Sequence, residues 1–293
     1  MAKKKVSIVL PVYNGADHVK NAIESVLNQE YDNIELIIVN DCSTDNTLEV
    51  VSSYANESSV RIISNKVNKK LPQSLNIGFR ETTGEYLTWT SDDNRYHSDA
   101  ILKMVSVLEN NTDIDLVYAD FTKYDMKGNV IEKINLGEPS DIRFGSCMGA
   151  CFLYRRSLAE KAGEYNPDAF LAEDYEFFLR CYQVGKFFHL EEDLYDYGCH
   201  DASLTATRMI DIAKQTALVT EMHWDYLLSQ CISQDDKNRF FSHYLSLLQN
   251  PDEKRSQIYE MDKAFLLYDL GKRICCFPKY IFDYLLRIVR KIR

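Results

Sequence analysis

Val6-Ser7-Ile8-Val9-Leu10, closed by Pro11-Val12-Tyr13-Asn14-Gly15, is the stretch on which the reading of the fold turns. A short apolar run ended by a turn is what a parallel strand buried on both faces looks like. Directly after Asn14-Gly15, apolar residues recur at helical spacing: Val19, Ala22, Ile23, Val26 and Leu27. The alternation then continues. Residues 34–39 read as a second buried strand, and residues 44–54 as a second helix with Ser43 or Thr44 placed to cap it. Residues 61–64 form a short third strand. Pro72 opens a third helix that runs through Phe79 and is ended by Gly84, and residues 85–90 form a fourth strand. Strands separated by helices of about ten residues imply βαβ units and a mostly parallel sheet flanked by helices, an α/β fold.

Ligands of such sheets sit outside the carboxyl ends of the strands. The residues there are Pro11-Val12-Tyr13-Asn14, Asn40-Asp41-Cys42-Ser43 and Ser91-Asp92-Asp93-Asn94, two of the three bearing carboxylates. Further on, residues 98–109 read as a helix, 116–122 as a strand, and Lys127-Gly128-Asn129 as a hairpin turn into 130–134. A small-residue stretch at 145–150 precedes a strand at 151–154. Residues 173–182 form a helix, and two strands follow at 187–190 and 194–197. Beyond residue 206 the pattern is helical, so the expected organisation is a domain at 1–205 and a helical region at 206–293.

Composition narrows the function. The chain has 293 residues and a formal net charge of −10, against a general nucleic-acid binder, which needs a basic footprint. From Lys272 to Arg293, seven Lys and Arg stand against one Asp. In that tail Ile281, Tyr284, Leu285, Ile288 and Ile292 share one helical face, with Arg287, Arg290 and Lys291 off it. This is the pattern of an interfacial helix on an anionic membrane surface, though a helix packed on the domain with solvated charges has the same one. The eight cysteines show no paired CxxC spacing, no stretch reaches the about 18 apolar residues of a span, and nothing at the N-terminus resembles a signal peptide. A reducing cytoplasm, at the inner face of the plasma membrane, is the expected setting.

Two acidic sites carry chemistry. Asp92-Asp93 follows the fourth strand, where hard cations such as Mg²⁺ or Mn²⁺ find oxygen ligands alongside phosphate. Asp174, in Leu171-Ala172-Glu173-Asp174-Tyr175-Glu176, opens a separate helix and suits a general base. On spacing alone each reads equally as an acidic helix start, since carboxylates complement the helix dipole.

In order along the chain they are more specific. Ser7 to Gly15 followed by Ile37-Ile38-Val39-Asn40-Asp41-Cys42-Ser43-Thr44-Asp45 closely resembles the opening of the family 2 glycosyltransferases, which have the GT-A fold. Gly84 to Asn94 resembles that family's metal-site segment, and Gly149 to Arg156 its acceptor-side strand. Ala172-Glu173-Asp174-Tyr175 with Phe178-Leu179-Arg180 resembles its base-bearing helix, and Tyr197, His200 and Ser203 its closing segment. The resemblance spans roughly residues 5 to 205.

It implies transfer of a hexose from a nucleotide-diphosphate sugar, a UDP-sugar by preference, to an acceptor hydroxyl with inversion. Pro11, Val12 and Tyr13 would line the base pocket, Asp41 would accept from the base's imide, and Asp92 would hold the ribose. Asp93 would bind Mg²⁺ or Mn²⁺, with His200 near the diphosphate or as a second ligand. Asp174 would be the base, with Gly149, Ala150 and Glu173 on the acceptor side. The acceptor would be a saccharide or lipid-linked saccharide of capsule, exopolysaccharide or lipopolysaccharide synthesis, met at the membrane by the basic tail.

Departures are visible too. Where the family's Asp-x-Asp-Asp pattern has carboxylates first and last, this chain has Ser91 and Asn94, and Asn40-Asp41-Cys42 replaces Asp-Asp-Gly. Lys69 and Lys70 stand where a glycine-rich loop is usual, either reaching the diphosphate or lying solvated. A catalytically silent nucleotide-sugar-binding module is the main alternative. A nucleotidyltransferase fits less well, because it would need a Gly-rich basic triphosphate loop where Pro11-Val12-Tyr13-Asn14 stands.

Overall fold

The computed structural model describes residues 3–248. They fall into two compact units that divide between His223 and Trp224. The basic amphipathic tail lies outside the described residues.

The first unit starts with β1 (Val6–Val12), α1 (Val19–Leu27), β2 (Ile34–Asn40), α2 (Thr47–Ser52), β3 (Val60–Ser64), α3 (Lys70–Arg80) and β4 (Tyr86–Trp89). It continues with β5 (Arg95–Tyr96), α4 (Ala100–Asn110), β6 (Leu116–Asp125), β7 (Val130–Ile134) and β8 (Cys151–Arg155). The last elements are α5 (Arg156–Ala162), α6 (Glu173–Val184), β9 (Phe187–Cys199), α7 (Leu204–Thr207) and α8 (Met209–Met222). One sheet runs β3-β2-β1-β4-β8-β6-β9-β5, with β7 paired to β6. The β3-β2-β1-β4 block is parallel, as the alternating sequence implies, and β8 enters antiparallel to both β4 and β6.

All seven residues of β1 are buried. Ile8 and Leu10 share a core with Val19, Ala22, Ile23 and Val26 of α1 and with Ile101, Met104 and Leu108 of α4. Burying such side chains is worth about 1.5–3 kcal/mol each, and it needs the i, i+3, i+4, i+7 spacing that α1 has.

Two expectations are corrected. α2 starts at Thr47, not at residue 44, and neither Ser43 nor Thr44 caps it. Ser43 Oγ accepts from Asn14 N–H (3.0 Å), and Thr44 N–H donates to Asn14 Oδ1 (2.8 Å), so both residues are tied to the loop after β1. The carboxylate of Asp45 accepts from Thr47 N–H instead. The strands expected at 187–190 and 194–197 are one long strand, β9, whose register against β6 slips between Ala119 and Asp120. Such an irregularity interrupts the two-residue alternation and splits one strand into two apparent ones.

In the second unit, α9 (Trp224–Ser229) and α10 (Gln234–Leu247) meet through Trp224, whose ring lies 4.9 Å from Phe240 and 5.1 Å from Tyr244. Ser233 and Asp236 form a reciprocal capping box at the start of α10.

Candidate active site

The carboxyl ends of β1, β2 and β4 converge, as a parallel block requires. At the end of β1, Pro11 and Val12 are buried in the strand and Tyr13 is half exposed. Asp41, beyond β2, is only 4% exposed. Its Oδ1 accepts from the Asn65 side chain (2.8 Å) and Lys69 N–H (2.7 Å), and its Oδ2 from Lys70 N–H (2.9 Å). Asp41 therefore braces the loop that starts α3, where Lys70 has a positive φ of 68°. Lys69 and Lys70 meet it through their backbone, a role their side chains did not announce.

Asp92 and Asp93 follow β4. Gly15 lies directly beneath Asp92: a Cβ there would fall 1.7 Å from Asp92 Oδ2. No residue with a side chain fits while Asp92 keeps this position. Burial pushes the Asp92 carboxyl up to about 7, helped by the neighbouring charges of Asp93 and Asp45. Burial also raises Asp93, against the lowering influence of His200 and His18. His200 Nε2 lies 3.2 Å from Asp93 Oδ2, both side chains being largely buried.

Asn94 explains one departure from the expected acidic pattern. It is 2% exposed, and its Oδ1 accepts from Gly198 N–H at 2.9 Å, fixing β9 to the turn that carries Asp92 and Asp93. Gly198 allows this approach, since a Cβ on it would lie 2.2 Å from the Asp93 carbonyl oxygen.

Asp174 enters from another element, the first turn of α6. Burial raises it, and Tyr175 N–H donates to its Oδ1 (2.7 Å). Glu173 beside it is 6% exposed and raised well above the carboxylate range, first by burial and then by Asp174. Its Oε2 accepts from Leu171 N–H (2.7 Å), a residue held at a positive φ of 82°. Tyr197 of β9 has its hydroxyl raised by burial, against the hydrogen bond it shares with Thr205 Oγ1 (3.3 Å). Its ring packs on Phe121 (5.7 Å), against which Gly149 (φ 59°) also closes, while Ala150 is half-buried beside the core.

A groove of about 540 Å³ lies elsewhere, between α3 and residues 164–167, lined by Lys69, Gln73, Arg80 and Glu164 among others. None of Asp92, Asp93 and Asp174 lines it.

The sequence profile described as Glycosyl transferase family 2 matches residues 7–163. The chain belongs to that family. It is a glycosyltransferase with the GT-A fold. An uncharacterized glycosyltransferase of Rickettsia typhi is 29% identical over 242 residues, covering 78% of this chain and 73% of that protein. The Escherichia coli chondroitin synthase is 30% identical over 215 residues, 72% of this chain but 31% of the synthase. The glycosyltransferase thus spans about a third of that relative. Among solved structures, Staphylococcus aureus TarS 1–349 in complex with UDP-GlcNAc superposes with a TM-score of 0.65 at 17% identity, over 94% of this chain and 82% of that one. The mannosyltransferase PcManGT from Pyrobaculum calidifontis, in complex with GDP-Man and Mn²⁺, gives 0.65 at 16% identity, over 95% and 82%.

Among the described residues no three His, Cys, Asp or Glu side chains converge into a ready-made metal cage. Asp93 and His200 nevertheless offer this glycosyltransferase one oxygen and one nitrogen donor side by side. That incomplete set suits a divalent cation that completes its shell with phosphate oxygens and water. A raised Asp93 beside a second carboxylate is also an environment that a cation relieves. No described helix is long and apolar enough to cross a membrane.

The sequence missed His18, whose ring lies 4.9 Å from that of His200. It also missed Asn65, which reaches Asp41 from the end of β3. A lone histidine before a helix and an asparagine after a strand carry no signal of their own.

Proposed function

We propose that the enzyme transfers a hexose from a nucleoside-diphosphate sugar, a UDP-sugar by preference, to the hydroxyl of a saccharide or lipid-linked saccharide, with inversion. The observation that carries this reading is the strand-end Asp93, with His200 Nε2 at 3.2 Å, together with a second, helix-borne carboxylate, Asp174, at the first turn of α6. The neighbours bound to UDP-GlcNAc or to GDP-Man and Mn²⁺ support a donor of this chemistry.

Departure of the diphosphate builds negative charge, and the attacking hydroxyl must lose its proton as it attacks. Tyr13 would pack on the base, and Asp41 would keep the adjoining Lys69–Lys70 backbone in place while offering its remaining lone pairs to the base. Asp92 would hold the ribose and Asp93, with His200, a Mg²⁺ or Mn²⁺ ion. When bound, the ion would neutralise charge on the leaving diphosphate. Asp174 would take the acceptor proton, burial having raised its affinity for one. Glu173 keeps Leu171 in its left-handed conformation and so sets the approach to Asp174. A single displacement, with leaving group and base on opposite sides of the sugar, inverts the anomeric centre.

The relatives include chondroitin synthases. Surface-polysaccharide synthesis at the inner membrane face is the setting we propose, with the basic tail as the membrane contact. Nucleotide release from a panel of UDP-, dTDP- and GDP-sugars, with Mn²⁺, Mg²⁺ or EDTA, tests the reading. One donor hydrolysed in a metal-dependent way, and not by Asp93→Ala, supports it. A wild type that binds a donor but turns none of them over would favour the silent nucleotide-sugar-binding module, and one that binds none would overturn the donor-site reading.

A further inference from the structure

His18 stands at the start of α1, between the Tyr13–Gly15 loop and the first helical turn. Its side chain makes no capping bond to that helix, so the imidazole is not engaged as a cap. Its backbone is fixed instead, His18 N–H donating to Gly15 O at 3.0 Å. The ring meets His200 with centroids 4.9 Å apart and planes inclined by 42°. His200, from the turn after β9, directs Nε2 at Asp93 Oδ2. The contacts close a circuit: Gly15 lies under Asp92, its carbonyl anchors His18, His18 packs on His200, and His200 reaches Asp93, which adjoins Asp92 in sequence.

We propose that His18 is a positioning residue that holds the His200 imidazole against Asp93, in the orientation that meets the diphosphate of the nucleotide and its metal ion. It acts through its ring face and touches neither the sugar nor the base. The loop after β1 and the end of β9 are thereby coupled at the point where the leaving group sits. The inference rests on the donor-site reading above. Without His18, His200 keeps one hydrogen bond but loses the surface that fixes its ring plane, and an aromatic contact of this kind is worth a factor of about 3 to 10 in an equilibrium constant.

The test is calorimetric titration of UDP in the presence of Mn²⁺, on the full chain, which needs no knowledge of the acceptor. His18→Ala should weaken UDP·Mn²⁺ binding about 3- to 10-fold while the melting temperature stays near that of wild type. His18→Phe should restore binding to within about twofold, because the ring face suffices. In a His200→Ala background, His18→Ala should add no further loss, as expected for a residue acting through another. Unchanged affinity in His18→Ala, a His18→Phe variant as weak as His18→Ala, or additive losses in the double variant would each overturn the proposal. A wild type that binds none of UDP, dTDP and GDP with Mn²⁺ would overturn the donor-site reading itself, which separates the two failures.

Discussion

Asn94 Oδ1 accepts a hydrogen bond from Gly198 N–H at 2.9 Å, joining the turn that carries Asp92 and Asp93 to the strand that leads to His200. Where a carboxylate was expected, a neutral amide closes the junction. Both members of the Asp93–His200 pair flank it, since Asp93 precedes Asn94 and His200 follows Gly198 by two residues. Asn94→Ala leaves Gly198 N–H without this buried partner, at a cost of about 1–3 kcal/mol. Thermal denaturation should show a melting temperature lowered by several degrees, and donor turnover should fall with it.

Gly15→Ala places a methyl group where Asp92 Oδ2 now lies. The carboxyl must move, because the same Cβ would also meet Val12 Cγ2 at 2.8 Å. Nucleotide affinity should drop by about tenfold or more, on the order of 1.4 kcal/mol. Far-ultraviolet circular dichroism should remain that of a folded α/β protein.

Asp41→Asn exchanges an acceptor for an N–H₂ group in a place that receives three donors. One of the Lys69 and Lys70 amides then faces another donor, and breaking a charge-assisted bond of this kind costs about 1.5–3 kcal/mol. Hydrogen exchange at residues 65–70 should quicken, and nucleotide binding should weaken together with it.

The parallel half of the fold was legible because its signals are local. β1 and α1 show their burial in the spacing of apolar residues alone, and the strand-end carboxylates follow from the rule for where ligands sit. What escaped was set by contacts distant in sequence. Ser43 and Thr44 have the chemistry of helix caps, but Asn14 claims them first. Asn94 reads as a weakened metal ligand until Gly198 is seen against it. His18 becomes meaningful only once β9 brings His200 to it. The order of motifs revealed the family, whereas the bracing of the site needed the three-dimensional structure.

Glu173 makes stability depend on pH. Its folded carboxyl is raised to about 8, above the ordinary value of 4.5, by burial and by Asp174. The native state therefore binds more protons than the unfolded chain between those values, and stability falls as pH rises through that window. Glu173→Gln removes the titration while its side-chain oxygen still accepts from Leu171 N–H. The melting temperature of the variant relative to wild type should increase between pH 5, near the lower limit of that window, and pH 9, about one unit above its upper limit. A difference that stays constant across this range would contradict a buried, protonated Glu173.

The central claim is that Asp93 and Asp174 serve opposite halves of one transfer, and it is tested most directly by measuring donor binding and donor turnover side by side in Asp93→Ala and Asp174→Asn. Asp93→Ala should lose the Mn²⁺-dependent part of nucleotide binding. Asp174→Asn should bind the nucleotide sugar as wild type does and turn it over about 10²- to 10⁴-fold more slowly, the range a general base contributes. Turnover at the wild-type rate in Asp174→Asn, or equal loss of binding in both variants, would contradict the account.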